Sequence, residues 1–283
     1  MTPTVSICIP TYNAEAYILE SLESALAQHF PSVEVIVVDN CSSDRTYEII
    51  SGFVDPRIRH YRNEENIGAE ANWNRCLSLA SGKYVKLLCA DDVLDPMCIA
   101  REVETLEGEG GNGITLVTCG RRIIGEKGQI LIRRRCPLKP GRYARQAVLA
   151  ASARHGTNVV GEPSAVLFRR SDSAVAGSFD GRIPYMIDLD YWVRLLELGD
   201  MVVLGEVLCG FRASRKAWSG EIGKRQICDF VRFIRSSSFK GHDEAKRGDM
   251  VAAYAMAVLN YVARTTVVSI VARIKMRDEW WLG

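Results

Sequence analysis

A chain of 283 residues with 47% hydrophobic and 25% charged side chains has the apolar mass for a sizeable core. That balance excludes disordered, collagenous and coiled-coil classes. A formal net charge of +2 is too small to argue for a nucleic-acid partner. The nine cysteines are scattered singly, with no C-x-x-C pair, so they suggest neither a disulfide framework nor zinc and fit a reducing, cytoplasmic compartment. The segment Met1-Thr2-Pro3-Thr4 runs directly into a strand-like stretch, which is not the pattern of a signal peptide. The most apolar late stretch, 250–272, is interrupted by Asn260 and Arg264 and does not read as a membrane span.

In chain order, 5–10 is a short apolar run ending in proline, and 16–28 has helical periodicity. The β-branched run VEVIVVD at 33–39 is the pattern of a strand buried on both faces. Ser42, Ser43 and Asp44 offer capping oxygens before a helix at 46–51. A strand at 58–61, a helix at 68–81 closed by Gly82 and a strand at 84–89 follow. This β-α alternation predicts an α/β fold, a mostly parallel sheet with helices on both faces. Further on, the pattern predicts a helix at 96–106, strands at 115–124 and 129–133 joined by a turn at 125–128, and a helix at 142–155. A strand at 165–169, a helix at 187–198 and a strand at 201–204 complete this part, and 220–283 reads as mostly helical.

Ligands of open parallel sheets bind beyond the carboxyl ends of the strands. Those ends here carry Pro10-Thr11-Tyr12-Asn13, Asp39-Asn40-Cys41-Ser42, Asn63 to Gly68, and Asp91-Asp92. Each could serve as turn residues alone. Adjacent carboxylates closing an apolar strand are different, because they repel unless a cation lies between them. Mg²⁺ is commonly held by one or two carboxylates together with phosphate oxygens. There is no Walker-type loop and no G-x-G-x-x-G after the first strand, which removes support for kinase and dinucleotide readings.

The stretches VSICIPTYNAEAYILESLESALAQ, VEVIVVDNCSSDRT, NIGAEANWNRCLSLASGKYVKLLCADDVLDP, GEPSAVLFRR and DLDYWVRLLELG, in that order, resemble the inverting glycosyltransferases of family 2. The resemblance covers 5 to about 212 and implies a GT-A fold with a nucleotide-sugar donor and a divalent metal, Mg²⁺ or Mn²⁺. It implies donor-binding roles for Pro10, Thr11, Tyr12, Asp39, Asn66, Gly68, Asn74 and Asp91, and metal-binding roles for Asp91 and Asp92. Asp188 matches the catalytic base, with Asp190 as the competing acid and a helix cap as the alternative role. Glu162, Arg194 and Arg212 stand where acceptor or phosphate contacts are expected, and Trp192 is expected in the core. Two departures stand out: Cys89 where relatives often have Asp, and Ala213-Ser214 where many have a His near the metal.

The resemblance implies an enzyme of surface polysaccharide or lipid-linked oligosaccharide synthesis, with a glycan or polyprenyl-linked acceptor, working in the cytoplasm or on the inner face of the membrane. A non-catalytic nucleotide-sugar-binding protein and a nucleotidyltransferase are the alternatives. The expected organisation is a catalytic domain at 1–219, with a nucleotide-binding half (1–95) and an acceptor half (96–219), then a helical extension at 220–283. Arg273 to Arg277 and Trp280-Trp281 would suit either a membrane surface or a homodimer contact through the C-terminal helices.

Overall fold

The computed structural model describes residues 2–213, 225–236, 251 and 253–262. Its centre is a ten-stranded sheet. Strands β1 (Val5–Thr11), β2 (Val33–Asp39), β3 (Ile58–Arg62) and β4 (Tyr84–Leu87) pair in parallel in the order β3-β2-β1-β4. Helices α1 (Ile18–Leu26), α2 (Thr46–Ser51) and α3 (Ala69–Leu79) make the connections. The strand expected at 33–39 and the helix expected at 46–51 have those bounds. Side chains alternate across the sheet, as the pleat requires. Val5, Ile7, Ile9, Val35 and Val37 feed one buried layer with α1 and α4 (Cys98–Glu107), while Cys8, Ile36, Val38, Val85 and Leu87 feed the other.

Beyond β4 the sheet becomes mixed. Strand β9 (Val166–Arg169) enters antiparallel between β4 and β6 (Ile114–Ile124), and β10 (Asp200–Arg212) lies parallel to β6. The pattern at 201–204 captured only the start of β10, which runs on for 13 residues with register shifts. Two short elements had no legible signal, β5 (Val93–Leu94) and α6 (Arg170–Ala176), and β8 (Gly141–Tyr143) takes the first two positions of the helix expected at 142–155, because they pair with β10. Strand β7 (Ile130–Arg134) forms a hairpin with β6, and α5 (Arg145–His155) ends on the left-handed Gly156.

Helix α7 (Ile187–Leu195) packs Tyr191 and Trp192, both fully buried, against Phe168 and Phe179. Trp192 is therefore a core residue. Helix α8 (Arg225–Ile234) joins this layer through Phe230 and Phe233. The Tyr185 N–H donates to Asp229 at 3.3 Å. A helical segment over 253–262 meets the end of α5, where the Asn260 amide donates to the His155 carbonyl. Among the described residues no helix is long and apolar enough to cross a membrane. Ser214, Arg273 to Arg277 and the tryptophan pair lie outside the described residues.

The core holds a charged pair. Lys86 and Glu102 are both fully buried, and the Lys86 ammonium meets the two carboxylate oxygens at 2.7 and 2.8 Å. Burial alone would lower that ammonium, but the Cys98 thiol and the Glu102 carboxylate hold it above its ordinary value. Cys98, Glu102 and Cys119 lie close enough to ligate one metal ion. The ammonium already occupies both carboxylate oxygens, so the cation of this cluster is Lys86.

Candidate active site

The carboxyl ends of the parallel strands form one rim. Pro10 and Thr11 close β1 and are buried, whereas Tyr12 just beyond is 49% exposed. Thr11 stands beside Asp39 in register, and among the described residues its buried hydroxyl has no hydrogen-bond partner. Asp39 is fully buried at the end of β2. Its carboxylate accepts from the Ser42 N–H at 3.1 Å and from the Ser42 hydroxyl, and forms an ion pair with Arg62 at 3.2 Å. Arg62 lies over the Tyr47 ring, 4.7 Å from its centroid.

Next to it is an amide network that no short-range pattern announces. Asn40 donates to Asn66 at 2.7 Å and accepts from Asn63 at 2.7 Å and from the Ile67 N–H at 3.0 Å. Asn63 donates to Asn72, which in turn donates to the Val38 carbonyl, each at 3.0 Å. The loop carrying Asn66 and Gly68 is thereby fixed to the end of β2. Gly68, at φ 85°, adopts the left-handed backbone that leads into α3. Asn74 is turned elsewhere: its amide donates to the Phe179 carbonyl at 3.0 Å and accepts from the Phe179 N–H at 2.8 Å.

The two carboxylates after β4 are not equivalent. Asp92 is 1% exposed and accepts from the Ser164 hydroxyl at 2.6 Å and the Arg212 N–H at 2.9 Å. Asp91 is partly exposed, and its own backbone N–H is the donor that acts on its carboxylate. Burial raises both acids above the ordinary carboxylate range, Asp92 further because the Asp91 charge adds to it. Arg212 is fully buried and committed within the protein. It donates to the Asp91 carbonyl at 2.8 Å and the Gly125 carbonyl at 2.9 Å, pairs with Glu20, and lies over the Tyr17 ring.

Asp188 begins α7. It accepts from the Asn158 amide at 2.9 Å and from the Leu189 N–H at 2.7 Å. Burial, reinforced by the charge of Glu162, pushes its pKa up to about 7, against the hydrogen bonds that lower it. Asp190 is instead paired with Arg194 at 2.9 Å. Arg194 also donates to the carbonyls of Ala176 and Ser178, so it ties α7 to the preceding loop and does not face the rim.

One short loop, 158–164, contacts both acidic centres. Asn158 bonds Asp188 and the Gly161 carbonyl, each at 2.9 Å. Ser164 bonds Asp92 and accepts from the Cys89 N–H at 3.1 Å. Between them Glu162 lies 2.7 Å from Arg121, close enough for its charge to act on Asp92 and Asp188. Gly161, at φ 121°, makes this turn accessible, and its carbonyl also accepts from Trp192 at 3.3 Å. Asn158 had no sequence signal. Ser164 could have been suspected only from its place in the GEPS stretch.

Chemically, the rim offers one half-buried carboxyl group whose pKa of about 7 lets it exchange a proton near neutrality, one partly exposed carboxylate of the kind that hard cations favour, and the buried Asp39 carboxylate.

Comparison with known proteins places the family and the fold. The model of "Glycosyl transferase family 2" matches residues 6–172. An uncharacterized glycosyltransferase of Rickettsia prowazekii, RP339, is 32% identical over 213 residues, covering 73% of this chain and 63% of its own. The Escherichia coli UDP-Glc:alpha-D-GlcNAc-diphosphoundecaprenol beta-1,3-glucosyltransferase WfaP is 35% identical over 105 residues, 37% of this chain and 42% of that protein. The mannosyltransferase PcManGT from Pyrobaculum calidifontis, solved in complex with GDP-Man and Mn²⁺, superposes with a TM-score of 0.64 at 17% identity, covering 100% of this chain and 81% of that one. The chain spans 62 to 65% of the length of the curated relatives that it matches over most of its own. The fold is of the GT-A type, and the chain belongs to glycosyl transferase family 2.

Proposed function

We propose that this protein is an inverting glycosyltransferase. It moves a sugar from a UDP- or dTDP-linked donor to a hydroxyl of a glycan or polyprenyl-linked acceptor, in surface polysaccharide or oligosaccharide synthesis at the cytoplasmic face of the membrane. The observation that carries this reading is the loop 158–164, which bonds Asp188 through Asn158 and Asp92 through Ser164. A base and a donor-side acid held by one loop keep a fixed separation, as transfer between two bound substrates requires.

In this reading Asp188 takes the proton of the acceptor hydroxyl. The oxygen forms a bond to the anomeric carbon from the face opposite the nucleotide. The bond from that carbon to the phosphate oxygen breaks, and its electron pair leaves with the diphosphate. A pKa of about 7 suits a base working near neutrality. Asp39, Thr11, Pro10 and Tyr12 line the base and ribose pocket, and the orphan Thr11 hydroxyl and the Asp39 carboxylate are its polar contacts. Asn66 and Gly68 wall that pocket. Asp91 is the carboxylate that fits Mg²⁺ or Mn²⁺, because it is partly exposed and no other side chain is bonded to it among the described residues, whereas Asp92 is buried and bonded to Ser164 and Arg212 and shapes the loop beneath it. A cation there, when bound, supplies charge neutralisation for the departing diphosphate. Arg212 and Arg194 are assigned positioning roles, and Asn74 anchors the Phe179 loop.

The test is a panel of UDP-, dTDP- and GDP-sugars, assayed for binding and turnover with and without Mg²⁺ or Mn²⁺. Metal-dependent binding of a uridine or thymidine donor with turnover is expected. Binding with no hydrolysis or transfer on any acceptor would favour the non-catalytic alternative. Nucleotide-sugar formation from a sugar phosphate would favour the nucleotidyltransferase.

Two variants probe the site separately. Asp91→Asn should weaken metal-dependent donor binding by about two orders of magnitude, since one charged oxygen ligand is lost. Calorimetric titration of the donor in the presence of Mn²⁺ reads this directly, and unchanged affinity would move the metal away from Asp91. Glu162→Gln removes the negative charge that raises Asp188. The acidic limb of the pH–rate profile should then move to lower pH by a fraction of a unit, roughly half, while the donor KM stays constant. An unmoved limb would show that Glu162 has no electrostatic hold on the base.

A further inference from the structure

The hairpin of β6 and β7 concentrates charge. Between positions 121 and 139 there are seven arginines and lysines and a single acid, Glu126. That is a net +6 in a chain whose formal total is +2, so the rest of the protein carries −4. The register makes the concentration sharper: Arg122 stands opposite Arg133. Like charges facing each other across a ladder destabilise the pair.

The inner strand is compensated. Arg121 lies 2.7 Å from Glu162, and Arg122 lies 3.6 Å from Asp95. The outer strand is not. Arg133 and Arg135 are exposed, and among the described residues neither has an acidic partner. Lys127 at the turn and Lys139 beyond the strand are exposed as well. Among the described residues strand β7 pairs with β6 alone and is an edge of the sheet. It also exposes two large apolar side chains, Ile130 at 49% and Ile132 at 46%. Charge commonly guards an edge strand against pairing with other chains, but one or two lysines suffice for that. Arginine set against arginine, with exposed isoleucines beside it, calls for an anionic surface that also accepts apolar groups.

We propose that the 121–139 hairpin docks on an anionic phospholipid bilayer. The guanidinium groups of Arg133 and Arg135 pair with headgroup phosphates in forked hydrogen bonds, and Ile130 and Ile132 enter the interfacial layer. The placement fits the site. Arg212 bonds the Gly125 carbonyl at the hairpin turn, and Arg121 meets Glu162, so a docked hairpin sets the acceptor side of the rim toward the bilayer. Docking does not depend on the proposed reaction, because it is measured without donor or acceptor.

The experiment is vesicle flotation of the whole chain, using phosphatidylcholine vesicles with and without phosphatidylglycerol. The wild type should float with the phosphatidylglycerol vesicles alone, and less so as salt is raised. Arg133→Glu/Arg135→Glu should weaken binding at least about tenfold, and Ile130→Ser/Ile132→Ser should weaken it severalfold. Both variants should keep wild-type nucleotide-sugar binding, which shows that they are folded. The proposal is overturned if the arginine variant floats as the wild type does, which would place any docking on the C-terminal segment. It is equally overturned if phosphatidylglycerol makes no difference, or if inorganic diphosphate protects the hairpin arginines from chemical modification while vesicles of either composition do not bind.

Discussion

Replacing Asp188 by asparagine is expected to lower turnover by about 10²- to 10⁴-fold, the usual worth of a general base, while leaving the donor KM near its wild-type value. The same substitution should change stability with a definite sign. Asp188 has an ordinary value of 3.8 and is raised to about 7 in the fold. Between those values the folded state holds a proton that the unfolded chain has released, so the wild type loses stability as pH rises through that window. The full penalty is present above about pH 7. After discounting for the partial exposure of the side chain it is on the order of 2 to 3 kcal/mol. Asparagine has no such term, although it forfeits about 1 kcal/mol, because Asn158 and Leu189 both donate to this position and an amide offers them only one acceptor. The melting temperature of the variant minus that of the wild type should therefore climb from pH 4 to pH 8. Parallel melting curves across that range would mean that the acid is not raised. A folded variant with near-wild-type turnover would remove Asp188 from the mechanism.

Lys86→Met should be the most damaging substitution outside the rim. It strands the Glu102 carboxylate in a fully buried setting, which typically costs 3 to 5 kcal/mol. For a chain of this size that corresponds to a fall in melting temperature of about 10 °C. Lys86→Met/Glu102→Leu should recover most of the loss, because a buried ion pair and an apolar pair of similar volume are often close in energy. Equal destabilisation of the single and double variants would show that Lys86 acts through its packing and not its charge. The pair lies on β4 and α4, the elements that flank Asp91 and Asp92, so the single variant is also expected to weaken metal-dependent donor binding.

The positions of the rim acids were legible because local patterns encode them. The run 33–39 delivers Asp39 at the end of a strand buried on both faces, and the run from Tyr84 delivers Asp91-Asp92 just beyond another. Asp188 was marked by the stretch around Tyr191 and Trp192, and its rival Asp190 was separated from it only by the pairing with Arg194. The antiparallel insertion of β9 between β4 and β6 was not legible, since a four-residue apolar strand carries no record of its partners' direction. Nor was the reach of β10, whose register shifts break the period-2 signal on which a strand is recognised.

What the sequence by itself determined, then, is the β-α succession of the first hundred residues, the family and the acids that end the strands. The succession and the acids follow from spacing between near neighbours, and the family from the resemblance of whole motifs. The tertiary structure alone decided what those acids and their neighbouring polar groups are bonded to. Ser164 reaches Asp92 across 72 positions, Asn158 reaches Asp188 across 30, and Arg212 reaches Asp91 across 121. It turned Asn74, Arg194 and Arg212 inward, although the family pattern had set them around the substrates. The reason is physical: a long polar side chain satisfies its donors wherever the fold supplies acceptors. That supply is set by chain segments far away in sequence.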